Sequence, residues 1–134
     1  MFFSAIFITK LKVVAYLFAK LAKKSAKIFK VYLKLFKLNK PLARGFKHLY
    51  SKSDKMLKIF GQSKHKLSNL VSKAGGEKEA YLAAYDAVNK NKLYKNLDIG
   101  IGIKKNVTVL GENIIVNLYK YPDGKITISN MFKP

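Results

Sequence analysis

Two histidines, His48 and His65, are the residues of this chain best suited to move protons near neutral pH. Imidazole is the one side chain whose unperturbed pKa lets it gain and lose a proton in that range. The chain has no cysteine and only seven carboxylates in 134 residues, so other reactive groups are scarce. Both histidines lie in a lysine-rich stretch, residues 46–70, where chemistry on an anionic substrate is expected.

The balance of charge is strongly positive, with 27 basic against seven acidic residues, a net charge of +20 and a pI of about 10.1. Such a charge favours a polyanionic partner, which is a nucleic acid, an anionic membrane surface or an acidic protein. Arg44 is the only arginine. Lysine binds phosphate as a point charge, whereas bidentate reading of bases favours arginine, so we expect no sequence-specific DNA binding. An AT-rich coding bias is an alternative source of the lysine excess.

Residues 1–45 are predicted to form a basic amphipathic helical extension. The apolar residues 1–9 are too few for a transmembrane helix and lack the basic start of a cleavable signal peptide, so neither is predicted. Over residues 13–38, lysines recur every three or four positions with leucine and phenylalanine between them, which indicates one amphipathic helix. Either residues 1–40 dock on an anionic membrane, or the apolar stripe packs on the rest of the protein.

Residues 46–134 are predicted to form an α+β domain in which helices precede the strands. Ser63 is a suitable N-cap for a helix that places His65 in its first turn, where backbone N–H groups favour an anion. Gly75-Gly76 ends this helix, and a further helix follows over residues 77–89.

After Leu97 the apolar residues recur at every second position, which indicates strands. The alternating residues 99–103, the short run 107–109 and the segments 114–119 and 125–130 are predicted to be extended, with turns at 111–113 and 121–124. The expected fold is therefore N-terminal helices followed by a small antiparallel sheet of three to four strands.

Several short motifs together resemble a known group of domains. They are His48, Phe60-Gly61, Lys64–Leu67, Gly75–Glu77, the later strands with Asp123-Gly124 between them, and the end at Phe132 and Pro134. Over roughly residues 47–134 this pattern resembles the C-terminal toxin domains of bacterial polymorphic, contact-dependent and colicin-like systems. Many of those are similar to the barnase, EndoU, colicin and RelE superfamily of metal-independent ribonucleases. The pattern departs at Asn130-Met131, where a small residue is expected.

The resemblance implies a secreted or delivered toxin that acts in the cytoplasm of a target cell. Its substrate would be tRNA or rRNA, its partner an acidic immunity protein, and it would need no metal or cofactor. Two histidines without cysteine cannot form the usual structural zinc sites, and the carboxylates are scattered.

Metal-independent cleavage of RNA needs a base, an acid and cations that stabilise the phosphorane. Two histidines, or one histidine with a lysine, can supply the base and the acid. His65 is the first candidate for proton transfer, and His48 is its possible counterpart. Lys64 and Lys66 are candidate phosphate clamps. The remaining candidates are Thr127 and Ser129 for the scissile phosphate, Tyr119 and Tyr121 for base stacking, and Arg44 for substrate binding.

Each of these residues also has an ordinary structural interpretation, as a surface histidine, a polar strand position or a packed tyrosine. Two other functions therefore stay open from the sequence. One is a membrane-active or membrane-docking protein that uses its N-terminal helix, and the other is an RNA-binding module without catalysis.

Overall fold

A computed structural model describes residues 30–134, in which helices precede a three-stranded antiparallel sheet. This confirms the predicted α+β class. The helices are α1 (residues 30–38), α2 (Lys40–Tyr50), α3 (Ser53–Phe60), α4 (Ser68–Ala74) and α5 (Glu77–Lys90), with a 3₁₀ turn at Ser63–His65. The strands are β1 (Ile103–Val109), β2 (Glu112–Lys120) and β3 (Ile126–Phe132).

The first two helices meet at Asn39, whose side chain accepts a hydrogen bond from the N–H of Leu42 and so caps α2. Pro41 lies in the first turn of α2, where its missing N–H costs nothing. The predicted division between residues 45 and 46 falls inside α2. Because Leu35 and Leu42 are buried, residues 30–45 share the core of residues 46–134. The rest of the predicted helix 13–38, and of the extension, lies outside the described residues.

The strands follow one another as a meander in the order β1-β2-β3. Leu110 and Gly111 form the β1–β2 turn, with φ of 49° and 79°, and this positive φ is the backbone that a tight two-residue hairpin requires. Glu112 therefore pairs with Val109 inside the sheet. The turn predicted at 111–113 is confirmed at Gly111 but wrong at residues 112 and 113, which belong to β2. The turn predicted at 121–124 is confirmed, because the Gly124 N–H donates to the Tyr121 carbonyl at 2.9 Å.

The inner face of the sheet packs on the helices and forms the core. Along β2 the alternate residues Ile114, Val116 and Leu118 are buried, as period-two patterning requires. Helix α5 covers this core with Tyr81 and Tyr85, which are both fully buried. Burial of a dozen large side chains with under 2 % exposure supplies the main stabilisation of the fold.

The other face of the sheet, which we call the outer face, is defined by the pairing register. Its members are Lys104, Asn106 and Thr108 on β1, Asn113, Ile115, Asn117 and Tyr119 on β2, and Thr127, Asn130 and Phe132 on β3. Most of these side chains are exposed or half-buried. Thr127 is the exception, since it is fully buried.

The free edge of β3 is covered by helices. The Tyr81 hydroxyl donates to the Ile128 carbonyl and the Ile128 N–H donates to the Tyr85 hydroxyl, each at 2.8 Å. The two hydroxyls also lie 2.8 Å apart. Helix α2 approaches the same edge at Gly45, where a Cβ would lie only 1.6 Å from the Ile126 carbonyl oxygen. A side chain at position 45 would therefore push α2 away from the sheet.

Two predicted elements differ from the structure. The helix predicted from Ser63 is interrupted, because Lys66 adopts a left-handed conformation with φ of 55°, and α4 begins only at Ser68. The predicted place of His65 in a helix N-terminal turn is therefore wrong. Residues 98–102 are not a strand either: Ile99 makes one isolated parallel bridge to Lys120, and β1 starts at Ile103.

Candidate functional site

The described part of the chain brings one of the two histidines into a cluster of basic and aromatic side chains. His48 lies near the end of α2, and its ring packs edge-to-face on Tyr121 with the ring centroids 5.4 Å apart. Lys52, one helical turn further on, places its Nζ 3.5 Å from His48 Nε2. Lys125 places its Nζ 4.6 Å from the centre of the Tyr121 ring. We call His48, Lys52, Tyr121, Asp123, Lys125 and Arg44 the His48 cluster.

Asp123 fixes two of the cations of this cluster. Its Oδ2 lies 3.2 Å from Nη2 of Arg44 and 3.1 Å from Nζ of Lys125, and its Oδ1 accepts the N–H of Lys125. These hydrogen bonds from Lys125, together with the charges of Lys125 and Arg44, lower the pKa of Asp123. The carboxylate is thus ionised and occupies the position between two cations that an external anion would also favour.

The surroundings of His48 favour its neutral form. Partial burial comes first among the causes that lower its pKa, followed by the positive charges of Lys52 and Lys125, while Asp123 opposes them. A lowered pKa favours the uncharged imidazole near neutral pH, in which one ring nitrogen can accept a proton. A neutral imidazole among lysines is the arrangement that a general base acting on a phosphodiester requires.

Two further predicted residues adjoin the cluster. Tyr119 lies on the outer face of the sheet and contacts Tyr121, with ring centroids 4.9 Å apart. Thr127 is paired with Tyr119 across the β2–β3 ladder, but it is fully buried. Its Oγ1 has no hydrogen-bond partner among the described residues. The expected contact of Thr127 with a phosphate is therefore blocked in this conformation.

The second histidine is separated from the cluster. His65 is buried, its Nδ1 lies 2.7 Å from the Ile59 carbonyl oxygen, and its ring lies beside that of Phe132. Phe132 ends β3, whereas the His48 cluster surrounds the turn before Ile126. The six residues between these points span roughly 20 Å of strand. The structure thus does not bring the two histidines together as an acid–base pair.

The remaining predicted residues also lie apart from His48. Lys64 and Lys66 are exposed beside His65. Ser129 is exposed at a β-bulge, where its Oγ donates to the Asn117 carbonyl and accepts the side-chain N–H of Asn117. Of the nine candidate residues, the structure gathers His48, Arg44, Tyr121 and Tyr119 in one place.

Sequence reasoning missed Lys52, Asp123 and Lys125. Lys52 follows His48 by four residues in the chain, a spacing that would have predicted the contact if the helical turn had been extended past Ser51. Asp123 was assigned only to a turn, and Lys125 only to a strand. Their approach to Arg44 joins residues about 80 positions apart, and no local pattern indicates it.

The candidate residues neither line the cavity found in the described part of the chain nor form a metal-binding group there. Within residues 30–134, no group of three histidine or carboxylate side chains is close enough to hold a metal ion. A cavity of about 320 Å³ lies between the end of α2 and the starts of α3 and α5, where Lys78 stacks on Tyr50. Comparison with protein-family models, curated proteins and solved structures gives no match to this chain.

None of the helices within residues 30–134 combines the length and the apolar character needed to cross a bilayer.

Proposed function

We propose that this protein is a metal-independent ribonuclease that holds an RNA phosphate at the His48 cluster and uses His48 as the proton-accepting group. The observation that carries the proposal is the position of His48, which has a lowered pKa and lies among Lys52, Lys125 and two tyrosines. Cations beside a neutral imidazole match what phosphodiester cleavage needs, and the aromatic rings suit nucleobases.

In the proposed reaction, His48 takes the proton of the ribose 2′-hydroxyl. The 2′-oxygen then forms a bond to phosphorus, and the bond from phosphorus to the 5′-oxygen breaks. Lys52, whose ammonium lies nearest to His48, gives a proton to the leaving 5′-oxygen. The products are a 2′,3′-cyclic phosphate and a free 5′-hydroxyl. Arg44 and Lys125 stabilise the additional negative charge on the phosphorane.

This assignment replaces a pair of histidines by a histidine and a lysine. His65 has a structural role in the proposal, because its ring is buried and bonded to the Ile59 carbonyl. Lys64 and Lys66 then contribute to the general positive field that attracts RNA.

A second candidate function is RNA binding without cleavage. It is favoured by the single imidazole in the cluster and by Asp123, which already neutralises part of the charge of Arg44 and Lys125. In both cases the substrate class is RNA such as tRNA or rRNA. An acidic protein that covers the cluster would act as an inhibitor, as an immunity protein does for a delivered toxin.

The test is digestion of total tRNA and rRNA with the full chain in the presence of EDTA. Discrete fragments ending in a 2′,3′-cyclic phosphate support the proposal, and a 2′-deoxy substitution at the cleaved nucleotide should block cleavage. Replacing Arg44, Lys52 and Lys125 together by glutamine should abolish it. The matched control replaces Lys58, Lys90 and Lys95, which changes the net charge equally but away from the cluster.

Each other outcome has a distinct meaning. RNA that is bound but intact would favour the RNA-binding module. Intact and unbound RNA, together with dye release from anionic liposomes, would favour the membrane-active alternative and reject the proposal.

A further inference from the structure

The outer face of the sheet combines aromatic and amide side chains and carries no carboxylate. Asn106 and Asn113 on this face are exposed, and Asn117 and Asn130 are half-buried. Glu112, the acidic residue of β2, pairs with Val109 on the inner face, where it binds Lys73 and Lys133. The outer face therefore does not repel a polyanion, although it is more amide-rich than basic.

Two half-buried aromatic rings stand at separate points of this face. Phe132 lies toward one end, with Nζ of Lys104 located 5.6 Å from the centre of its ring. Tyr119 lies toward the other end and contacts Tyr121. Phe132 pairs with Ile115, four residues before Tyr119, so roughly 13 Å of strand separates the two rings. Each ring can thus serve a different base.

The outer face is continuous with the His48 cluster through the tyrosines. Tyr119 contacts Tyr121, and Tyr121 contacts His48 and lies under Lys125. A strand of nucleic acid that lies along the face can therefore place one phosphate at the cluster while its flanking bases stay on the sheet.

We propose that the outer face binds single-stranded RNA, with bases stacked on Tyr119 and Phe132 and base edges contacted by the exposed amides of Asn106 and Asn113. This inference rests on the proposed function of the His48 cluster. Unpaired bases can turn outward and stack on aromatic rings, whereas those of an A-form duplex are stacked inside it. Amide side chains both donate and accept hydrogen bonds, as base edges do.

RNA fits this face better than the alternatives. A membrane surface or an apolar protein partner would favour a contiguous apolar patch, but the face interleaves Asn106, Thr108 and Asn117 with its two aromatic rings. An acidic protein would need cations on the face itself, where Lys104 is the single one, whereas RNA would stack its bases there and place a phosphate at the cations of the His48 cluster. Aromatic stacking together with hydrogen bonds to base edges is typical of the recognition of single-stranded RNA.

The test measures binding of a short fluorescent RNA and of its blunt duplex of equal length, using fluorescence anisotropy with EDTA present. An RNA made with 2′-O-methyl groups prevents cleavage during titration. Tyr119→Leu should weaken single-strand binding about 5- to 150-fold, the range for loss of one stacked base. Tyr119→Phe should keep the wild-type affinity because it retains the ring.

Two further variants control for folding. Phe132→Leu should weaken single-strand binding similarly, so that failure of one variant to fold leaves the other as a test. Tyr94→Leu removes a half-buried aromatic from the segment after α5, which is not part of the outer face, and should leave binding unchanged. Circular dichroism establishes that each protein is folded.

The outcomes separate this inference from the proposed function. If the wild type binds neither RNA, the proposed function fails. If it binds the single strand and the duplex equally, or if both leucine variants bind the single strand as the wild type does, the inference is overturned while the cluster keeps its role.

Discussion

His48 is the residue on which the proposed chemistry depends, and its protonation is set by its neighbours. Partial burial and the charges of Lys52 and Lys125 lower its pKa, so the proton-accepting form is present at pH 7. The rate of a reaction that needs neutral His48 falls as the pH drops through this lowered pKa.

Titration of the His48 ring by NMR checks this directly. We expect a pKa below the usual 6.5 in the wild type and a higher pKa in Lys52→Gln, because a cation has been removed. Lys58→Gln, a change at an exposed lysine of α3, should leave the titration unchanged. A wild-type pKa at or above 6.5 would contradict the assigned electrostatics.

Under the proposed function, Asp123 competes with RNA for Arg44 and Lys125, with which it is paired. In Asp123→Asn the amide oxygen can still accept the N–H of Lys125, but Arg44 and Lys125 no longer face a negative charge. RNA binding should therefore tighten roughly fivefold, the scale of one unit charge about 4 Å from a phosphate in water.

The matched control for Asp123→Asn is Asp86→Asn. Asp86 pairs with Lys90 on α5, so this variant changes the net charge equally but elsewhere. Equal tightening in both variants, measured by anisotropy at one salt concentration, would show that only net charge matters and that Asp123 has no local role.

At the scale of single residues, the sequence indicated the types of side chain in the His48 cluster better than their positions. His48 and Tyr121 were recognisable by type. The sequence could not reveal that His65 is buried, because its burial depends on the approach of Phe132 and on its hydrogen bond to Ile59, nor that Asp123 reaches Arg44 across the fold. Such contacts depend on how the elements pack and not on spacing along the chain.

At the scale of elements, the edge of β3 is secured by side chains that act as substitutes for a fourth strand. The hydroxyl of Tyr81 donates to the Ile128 carbonyl, so the hydrogen bond between the two tyrosines must have Tyr85 as donor. Tyr85 in turn accepts the N–H of Ile128, which closes a ring of three hydrogen bonds. Burial raises the pKa of both hydroxyls and keeps them neutral.

Tyr85→Phe should lower the free energy of unfolding by about 1–3 kcal/mol, because the buried N–H of Ile128 loses its acceptor. The measurement is the midpoint of urea denaturation. We expect the dependence of the unfolding free energy on urea concentration to stay unchanged. Tyr94→Phe removes a hydroxyl from a half-buried tyrosine and should change stability by less than about 0.5 kcal/mol. If Tyr85→Phe changed the free energy of unfolding by less than about 0.5 kcal/mol, the assigned role of the hydroxyl would be refuted.

The elements with a long regular pattern were predicted well. Helix α5 was expected at residues 77–89 and runs over Glu77–Lys90, and the turn at 121–124 was confirmed. The helix expected from Ser63 was wrong because the chain turns at Lys66 in a left-handed conformation that lysine rarely adopts. The alternation of isoleucine and glycine over residues 99–103 resembled a strand, but Ile99 and Ile101 are exposed.

At the scale of the whole molecule, the net charge of +20 favours any polyanion, so affinity for RNA alone is weak support for a specific site. The dependence of binding on salt gives a sharper criterion. Each phosphate contact with a single strand contributes about −0.7 to the slope of log affinity against log salt.

Lys52→Gln should therefore make that slope less negative by about 0.7, because one contact with a phosphate is lost. Lys58→Gln should leave the slope near its wild-type value. If both variants reduced the slope equally, RNA would be held by the diffuse field of the protein and not at the His48 cluster.

The most direct test of the central claim compares His48→Ala with His65→Ala in cleavage of the same RNA with EDTA present, per folded molecule. We expect His48→Ala to lose about 10²- to 10⁴-fold in rate, the usual contribution of a general base. His65→Ala should unfold at lower urea but cleave at nearly the wild-type rate once its folded fraction is counted. Cleavage that survives in His48→Ala, or that disappears from folded His65→Ala, would contradict the assignment of His48 as the proton-accepting residue.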